Sequence, residues 1–167
     1  MTIFVIESNL LPVSSELTQA LYGVLRDESM NLSGDVLAQA RTLTFNFRDK
    51  HYTAENGGFH PVEIRLKRTS MKSTHWQLVY VTTFAYIGNV YPELERNLDF
   101  DCQSGRCLVH PYIQWEPIKG NQDVLSMYQL WESNFLAYLE SHSYSAHQIT
   151  LDDIHCFTNG ETLYESI

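Results

Sequence analysis

The strongest constraint on the fold of this chain lies in residues 43–67, where two runs of strict apolar–polar alternation flank a loop. Leu43, Phe45 and Phe47 alternate with Thr44 and Asn46, and Val62, Ile64 and Leu66 alternate with Glu63, Arg65 and Lys67. Successive side chains of an extended strand point to opposite faces, so each run specifies a strand with one apolar and one polar face. Two such strands must turn their apolar faces to one core, because a slip of one residue would send every apolar side chain into water. Their connection, residues 48–61, is longer than a hairpin turn needs, and long loops in compact domains more often carry function. Gly57-Gly58 lets this loop turn through positive φ. Pro61 cannot donate a ladder hydrogen bond and suits the first residue of a strand, and it biases His60 before it toward an extended conformation.

The period differs on either side of this region. Leu17, Ala20, Leu21, Val24 and Leu25 recur at helical spacing after Ser14 and Ser15, which supply hydroxyl N-cap candidates, and the pattern predicts a helix ending near Asp27. A polar connector with Gly34 as its breaker follows over residues 29–35. Val124, Tyr128, Trp131, Phe135 and Tyr138/Leu139 form a second, longer stripe behind Asn121 and Asp123, which predicts a helix of about five turns. Residues 75–87 are apolar at both odd and even positions. That pattern reads as a central strand covered on both sides, or as a strand with one face lining an aromatic-walled groove. Leu98, Phe100 and Cys102 face Cys107, Val109 and Tyr112 across Gln103-Ser104-Gly105-Arg106, a predicted hairpin whose second strand Pro111 ends or places at an edge. A short edge strand is further expected at residues 2–6, and the apolar segments 148–151 and 154–157 are expected to supply a last strand and turn. The architecture predicted is α+β: an antiparallel sheet of about five to six strands with two main helices packed on one face, in a single domain over residues 1–167. A sheet curled around the long helix would instead form a helix-grip-like cavity.

Charge narrows the function classes. The formal net charge of −9 comes entirely from residues 89–167, with twelve acids and three bases, whereas residues 1–88 balance eight against eight. Within the balanced half, residues 41–72 carry seven bases against Asp49, Glu55 and Glu63, a local excess of cations. A pI near 5.1 disfavours nucleic acid as a partner. The N-terminus has no basic segment before its apolar run, and no run reaches the roughly 18 apolar residues of a membrane span, so a soluble cytoplasmic protein is expected. Three cysteines, Cys102, Cys107 and Cys156, are too few for a disulfide framework, and Cys102 with Cys107 is expected as a reduced pair on neighbouring strands. With His155 they do not have the spacing of a structural zinc site, and no phosphate-binding, dinucleotide or nucleophile motif is present. No metal or cofactor is expected.

The elements Asn46-Phe47-Arg48-Asp49, Tyr52 and Gly57-Gly58-Phe59-His60-Pro61-Val62-Glu63-Ile64-Arg65 resemble the signature of a bacterial family known only as a domain of unknown function. The resemblance covers residues 45–66 and agrees with the chain length. It implies a short, soluble bacterial protein and transfers no catalytic residue.

Physical chemistry offers several roles for these residues. Arg48, Arg65 and Lys67, with His60, are candidate ligands for a phosphate or carboxylate, since guanidinium forks match such oxyanions. His60 with Asp49 or Glu63 is a candidate acid–base pair, since imidazole titrates near neutrality and a carboxylate can orient it. The basic strip is also complementary to the acidic half of a second copy. Against all three stands a purely structural role, in which Arg48, Asp49, Glu63 and Arg65 form an ion-pair network that pins the loop. The leading reading is a non-catalytic binding or interaction module for an anionic small molecule or a partner protein. The alternative is a small enzyme with His60 as general acid or base.

Overall fold

The two alternating runs become neighbouring antiparallel strands, β2 (Thr42–Arg48) and β3 (Val62–Arg68), with Phe45 opposite Ile64 and Phe47 opposite Val62. The computed structural model describes residues 4–29, 38–70, 72–111, 114–152, 154–156 and 162–163. The connector expected at 29–35 falls mostly outside them, as do Tyr112 and Phe157.

Around this pair the sheet grows in both directions. On one side lie β4 (His75–Ile87), β5 (Glu93–Asp101), β6 (Arg106–Val109) and β7 (Glu116–Pro117). On the other, β8 (Ala146–Leu151) pairs with β2, followed by β9 (Ile154–Cys156) and β10 (Thr162–Leu163). β1 (Val5–Glu7) lies parallel to the start of β4, the one parallel pairing among the described residues. The described residues thus form a ten-stranded sheet, not one of five to six. β1, β7, β9 and β10 are two or three residues long, too short for any periodicity to mark them all in the sequence.

The core lies on one face. A row running Ile149, Phe45, Ile64, Val81, Phe100, Cys107 crosses six strands and is buried throughout. A second row joins Leu151, Leu43, Leu66 and Leu78. Helix α1 (Ser15–Ser29) adds Leu17, Leu21 and Leu25 to the same cluster, and α2 (Gln122–Glu140) adds Val124, Tyr128 and Phe135. Phe135 meets Phe47 edge-on at 5.1 Å between ring centroids, and Tyr128 meets Phe100 at 5.4 Å.

The other face is polar, and this corrects the reading of β4 as covered on both sides. Its two apolar parities arise from a bulge. Arg65 pairs with Tyr80 but Leu66 with Leu78, so Val79 is the extra residue and the pleat inverts there. Trp76 and Leu78 enter the core from even positions before the bulge, and Val81 and Ala85 enter from odd positions after it. A second shift, between Thr83 and Phe84, leaves Asn97 as the extra residue on β5.

Both α1 and α2 begin on a side-chain cap. Ser14 Oγ accepts from Leu17 N at 3.1 Å, and Asn121 Oδ1 accepts from Val124 N at 3.3 Å. The buried stripe of α2 is Val124, Tyr128, Glu132 and Phe135; Trp131 is half-buried and Tyr138 exposed, so the predicted stripe is rotated at its C-terminal end. Glu132 joins the helices. One oxygen of its carboxylate accepts from Ser14 N at 3.3 Å and from the Tyr128 hydroxyl at 2.6 Å. A carboxylate beside the first turn of α1 also opposes the positive end of its dipole. Replacing Glu132 with Ala leaves the buried Tyr128 hydroxyl and the Ser14 N–H without that acceptor. Urea unfolding is expected to show a loss of about 2–4 kcal/mol, with Glu132→Gln recovering part of it.

Candidate functional site

The loop between β2 and β3 is organised by one carboxylate. Asp49 Oδ1 accepts from His51 N at 2.9 Å and Oδ2 from Phe59 N at 3.2 Å, tying the two ends of the loop together. These two backbone hydrogen bonds hold its pKa below the ordinary carboxylate value. Thr53 and Gly57 close the tip with reciprocal backbone hydrogen bonds of 3.3 and 3.0 Å. The Tyr52 hydroxyl accepts from Tyr86 N at 3.0 Å, which anchors the loop to β4. Gly58 has φ +138°, and a Cβ there would stand 2.8 Å from Asp49 Oδ2 and 3.0 Å from Tyr52 Cα.

The expected ion-pair network takes a different form. Arg48 donates from Nε to Asn46 Oδ1 at 3.0 Å. Glu63 accepts from the Tyr80 hydroxyl on one oxygen and from Asn46 Nδ2, at 3.3 Å, on the other. Asp49 is occupied by backbone. The acid–base pairs also fail to assemble. His60 is hydrogen-bonded to neither carboxylate; its ring packs on Tyr52 at 5.3 Å, while Glu63 belongs to the opposite, polar face of the sheet. Partial burial pushes the His60 imidazole below its ordinary value, so it is neutral near pH 7.

The predicted site residues therefore divide between two faces. On the polar face, the row Thr42, Lys67, Gln77 lies beside the row Thr44, Arg65, Tyr80. Arg65 and Lys67 line a surface cavity of about 360 Å³ with Thr42, Gln77 and Gln103. Among the described residues no carboxylate lines it. Arg65 donates from Nη1 to Thr44 Oγ1 at 3.3 Å and also engages the Tyr80 hydroxyl, so its fork is held in place. Lys67 is exposed and has no ion-pair or hydrogen-bond partner among the described residues. Farther along the same face, Asp99 accepts from Thr82 Oγ1 at 3.2 Å and from Arg96 Nη1 at 3.1 Å. Arg48 lies outside this cavity.

On the helix side, His60 lines a second cavity of about 310 Å³ between the loop, α2 and the β4–β5 ladder. Its walls are aromatic: Phe59, Trp131, Phe135, Tyr138 and Tyr144. An aromatic-walled groove was one expectation for the face of β4, yet β4 contributes only Thr83; the rings come from α2, the loop and residue 144. Alternation in β4 could not have shown this, and the helical spacing of Trp131 and Tyr138 made them look like core.

The cysteines are not a facing pair. Cys107 lies opposite Phe100, and Cys102 sits in the turn beyond the ladder with Sγ 3.8 Å from Ser8 Oγ. Both are free thiols, and burial pushes Cys102 up to about 11 and Cys107 up to about 12. Among the described residues no three metal-ligating side chains gather; the side chains of His155 and Cys156 lie outside them. No helix among the described residues is long and apolar enough to cross a membrane.

A family model described as a protein of unknown function, DUF2787, matches residues 15–151. This agrees with the resemblance seen in the sequence at the level of an uncharacterised family. Two solved structures from Vibrio cholerae are similar over their full lengths. The hypothetical protein VC0508 of the VSP-II pathogenicity island is 44% identical, with a TM-score of 0.79 over 90% of this chain and 100% of its own. The conserved hypothetical protein VC1805 of pathogenicity island VPI-2 is 40% identical, with a TM-score of 0.72 over 87% of this chain and 100% of its own. VC1805 is described as sharing structural homology with the human P32 protein. No curated protein matches the chain.

Two outcomes follow from the loop. Gly58→Ala is expected to cost about 1–3 kcal/mol in urea unfolding, since both its φ and the contact with Tyr52 backbone must change. His60 and His147 both have lowered pKa values, desolvation being the leading cause for each. The folded state thus favours their neutral forms, and stability falls as pH drops below the unfolded histidine value of about 6.5 toward the lowered folded values. Denaturation midpoints measured across this window should flatten partly in His60→Gln and further in the double variant with His147→Gln.

Proposed function

Because this chain belongs to DUF2787, a family that supplies no activity to inherit, we propose from its own geometry a single-domain, cytoplasmic, non-catalytic binding module whose polar sheet face takes an anionic group. The observation that carries this reading is the cavity lined by Arg65 and Lys67. Its cations come from alternate positions of one strand, so both side chains project from the same face. Arg65 is pre-oriented by Thr44 and Tyr80, which lowers the conformational cost of engaging an oxyanion. Gln77, Gln103 and Thr42 add neutral polar groups around the two charges.

The occupant this chemistry suits is a phosphate or carboxylate, free or displayed on a partner protein. Arg48 and His60, which shared the sequence-level proposal, stand apart: Arg48 is engaged by Asn46, and His60 lines the other cavity. A general acid–base role for His60 has less support, because no carboxylate among the described residues is hydrogen-bonded to its ring.

Titration of the isotope-labelled protein with inorganic phosphate tests the assignment. Saturable shifts at the Arg65 side-chain N–H and at neighbouring amides of β3 are expected, weakening as ionic strength rises. The Arg65→Ala, Lys67→Ala double variant should bind at least about tenfold more weakly with an unchanged fold, since charge-assisted hydrogen bonds contribute about 1.5–3 kcal/mol. Equal binding by wild type and variant, or no saturable shift, would remove Arg65 and Lys67 as the site.

A further inference from the structure

The second cavity has a different chemistry, and its contents do not depend on the polar-face reading. It lies on the helix side of the sheet, where Phe59 meets Tyr138 edge-on at 4.8 Å and Trp131 stacks on Phe135 at 5.2 Å. Although the chain has 31 charged residues, no Asp, Glu, Lys or Arg among the described residues lines it. The polar groups of its lining side chains are neutral: the amides of Asn97 and Asn134, the Thr83, Tyr138 and Tyr144 hydroxyls, the Trp131 indole and the His60 imidazole.

Asn97 is there because of the second bulge. Thr83 pairs with Leu98 and Phe84 with Arg96, so Asn97 is the unpaired residue on β5, and its carbonyl is occupied by His110 N at 2.8 Å. Bulges re-aim single side chains, and this one brings an amide to an aromatic wall. Neither the Asn97 nor the Asn134 side chain has a hydrogen-bond partner among the described residues. Each amide offers both donors and an acceptor. The volume, about 310 Å³, is at the lower end of the range for small-molecule sites, which is about 300–1,000 Å³.

We propose that this cavity binds a small, uncharged, planar ring compound whose edge carries both a hydrogen-bond donor and an acceptor. The rings of Phe59, Trp131 and Tyr138 supply flat apolar surface for it. The two asparagines read its edge. An ionised ligand would lose its hydration without gaining a counter-charge, so a carboxylate analogue of the same shape binds worse.

Nicotinamide, a flat ring with a carboxamide edge, is a suitable probe, with nicotinate as the charged analogue and cyclohexanecarboxamide as the puckered one. Titrated into the full-length labelled protein, nicotinamide is expected to shift the Trp131 indole N–H and the Asn97 and Asn134 side-chain amides saturably, with millimolar affinity typical of so small a ligand. Nicotinate and cyclohexanecarboxamide should each bind at least about fivefold more weakly. Asn134→Ala and Tyr138→Ala change exposed positions of α2 and should weaken nicotinamide by about fivefold or more each, whereas the Arg65→Ala, Lys67→Ala variant should bind it like the wild type. Absence of saturable shifts, equal binding by either analogue, or indifference to both α2 variants would overturn the proposal. Loss of nicotinamide binding in the Arg65/Lys67 variant would show that the two cavities are not independent, and would overturn it as well.

Discussion

The single extra residue at Val79 is the constraint on which the rest of this sheet depends. β4 is thirteen residues long and touches β1 and β3 at its start and β3 and β5 farther along. Without the bulge, a regular pleat would place either Trp76 and Leu78 or Val81 and Ala85 on the polar face. Exposing a large apolar side chain costs about 1.5–3 kcal/mol, so two misplaced ones would consume much of the 5–15 kcal/mol by which a domain of this size is stable. The bulge lets one strand serve one core along its whole length. The polar face is then left open, with Arg65 and Lys67 on it.

The two bulges of β4 and its partner also bear on the two cavities. Val79 lines the polar-face cavity, and Asn97 lines the aromatic one. In each case an interruption of the ladder presents a group that regular alternation would have placed elsewhere. The loop from β2 to β3 serves the aromatic cavity differently. Asp49 fixes the backbone at Phe59, and Gly58 accepts the close approach that this requires, so Phe59 and His60 reach the cavity from a braced segment. Much of the segment 45–66 is therefore occupied structurally. Phe47, Val62 and Ile64 are core, Asp49 and Gly58 shape the loop, and Asn46 and Glu63 tie the polar face together.

Glu132 shows how a charged residue can be hidden inside a helical pattern. It lies between Tyr128 and Phe135 on the buried side of α2, in a stretch whose spacing marks the apolar residues and passes over the acid. The Tyr128 hydroxyl on its own helix and the Ser14 N–H, brought by the arrival of the α1 N-terminus, together make its burial tolerable. Tyr138 continues the predicted stripe but is exposed, at the end of the helix that borders the aromatic cavity.

By itself, the sequence determined the two amphipathic helices, the first behind Ser14 or Ser15 and the second from near Asn121, the β2 and β3 strands with their inward faces, and the β5–β6 turn at Gly105. These are local properties, written in periods of 3.6 and 2 and in residues suited to one backbone conformation. The tertiary structure alone decided that β8 pairs with β2, that β4 changes parity at Val79, that Asp49 serves backbone N–H groups and not His60, and that the candidate residues separate onto two faces. Each of these depends on which distant segment arrives alongside. A bulge in particular leaves no periodic trace except the double-sided apolar pattern that a fully covered strand would also show.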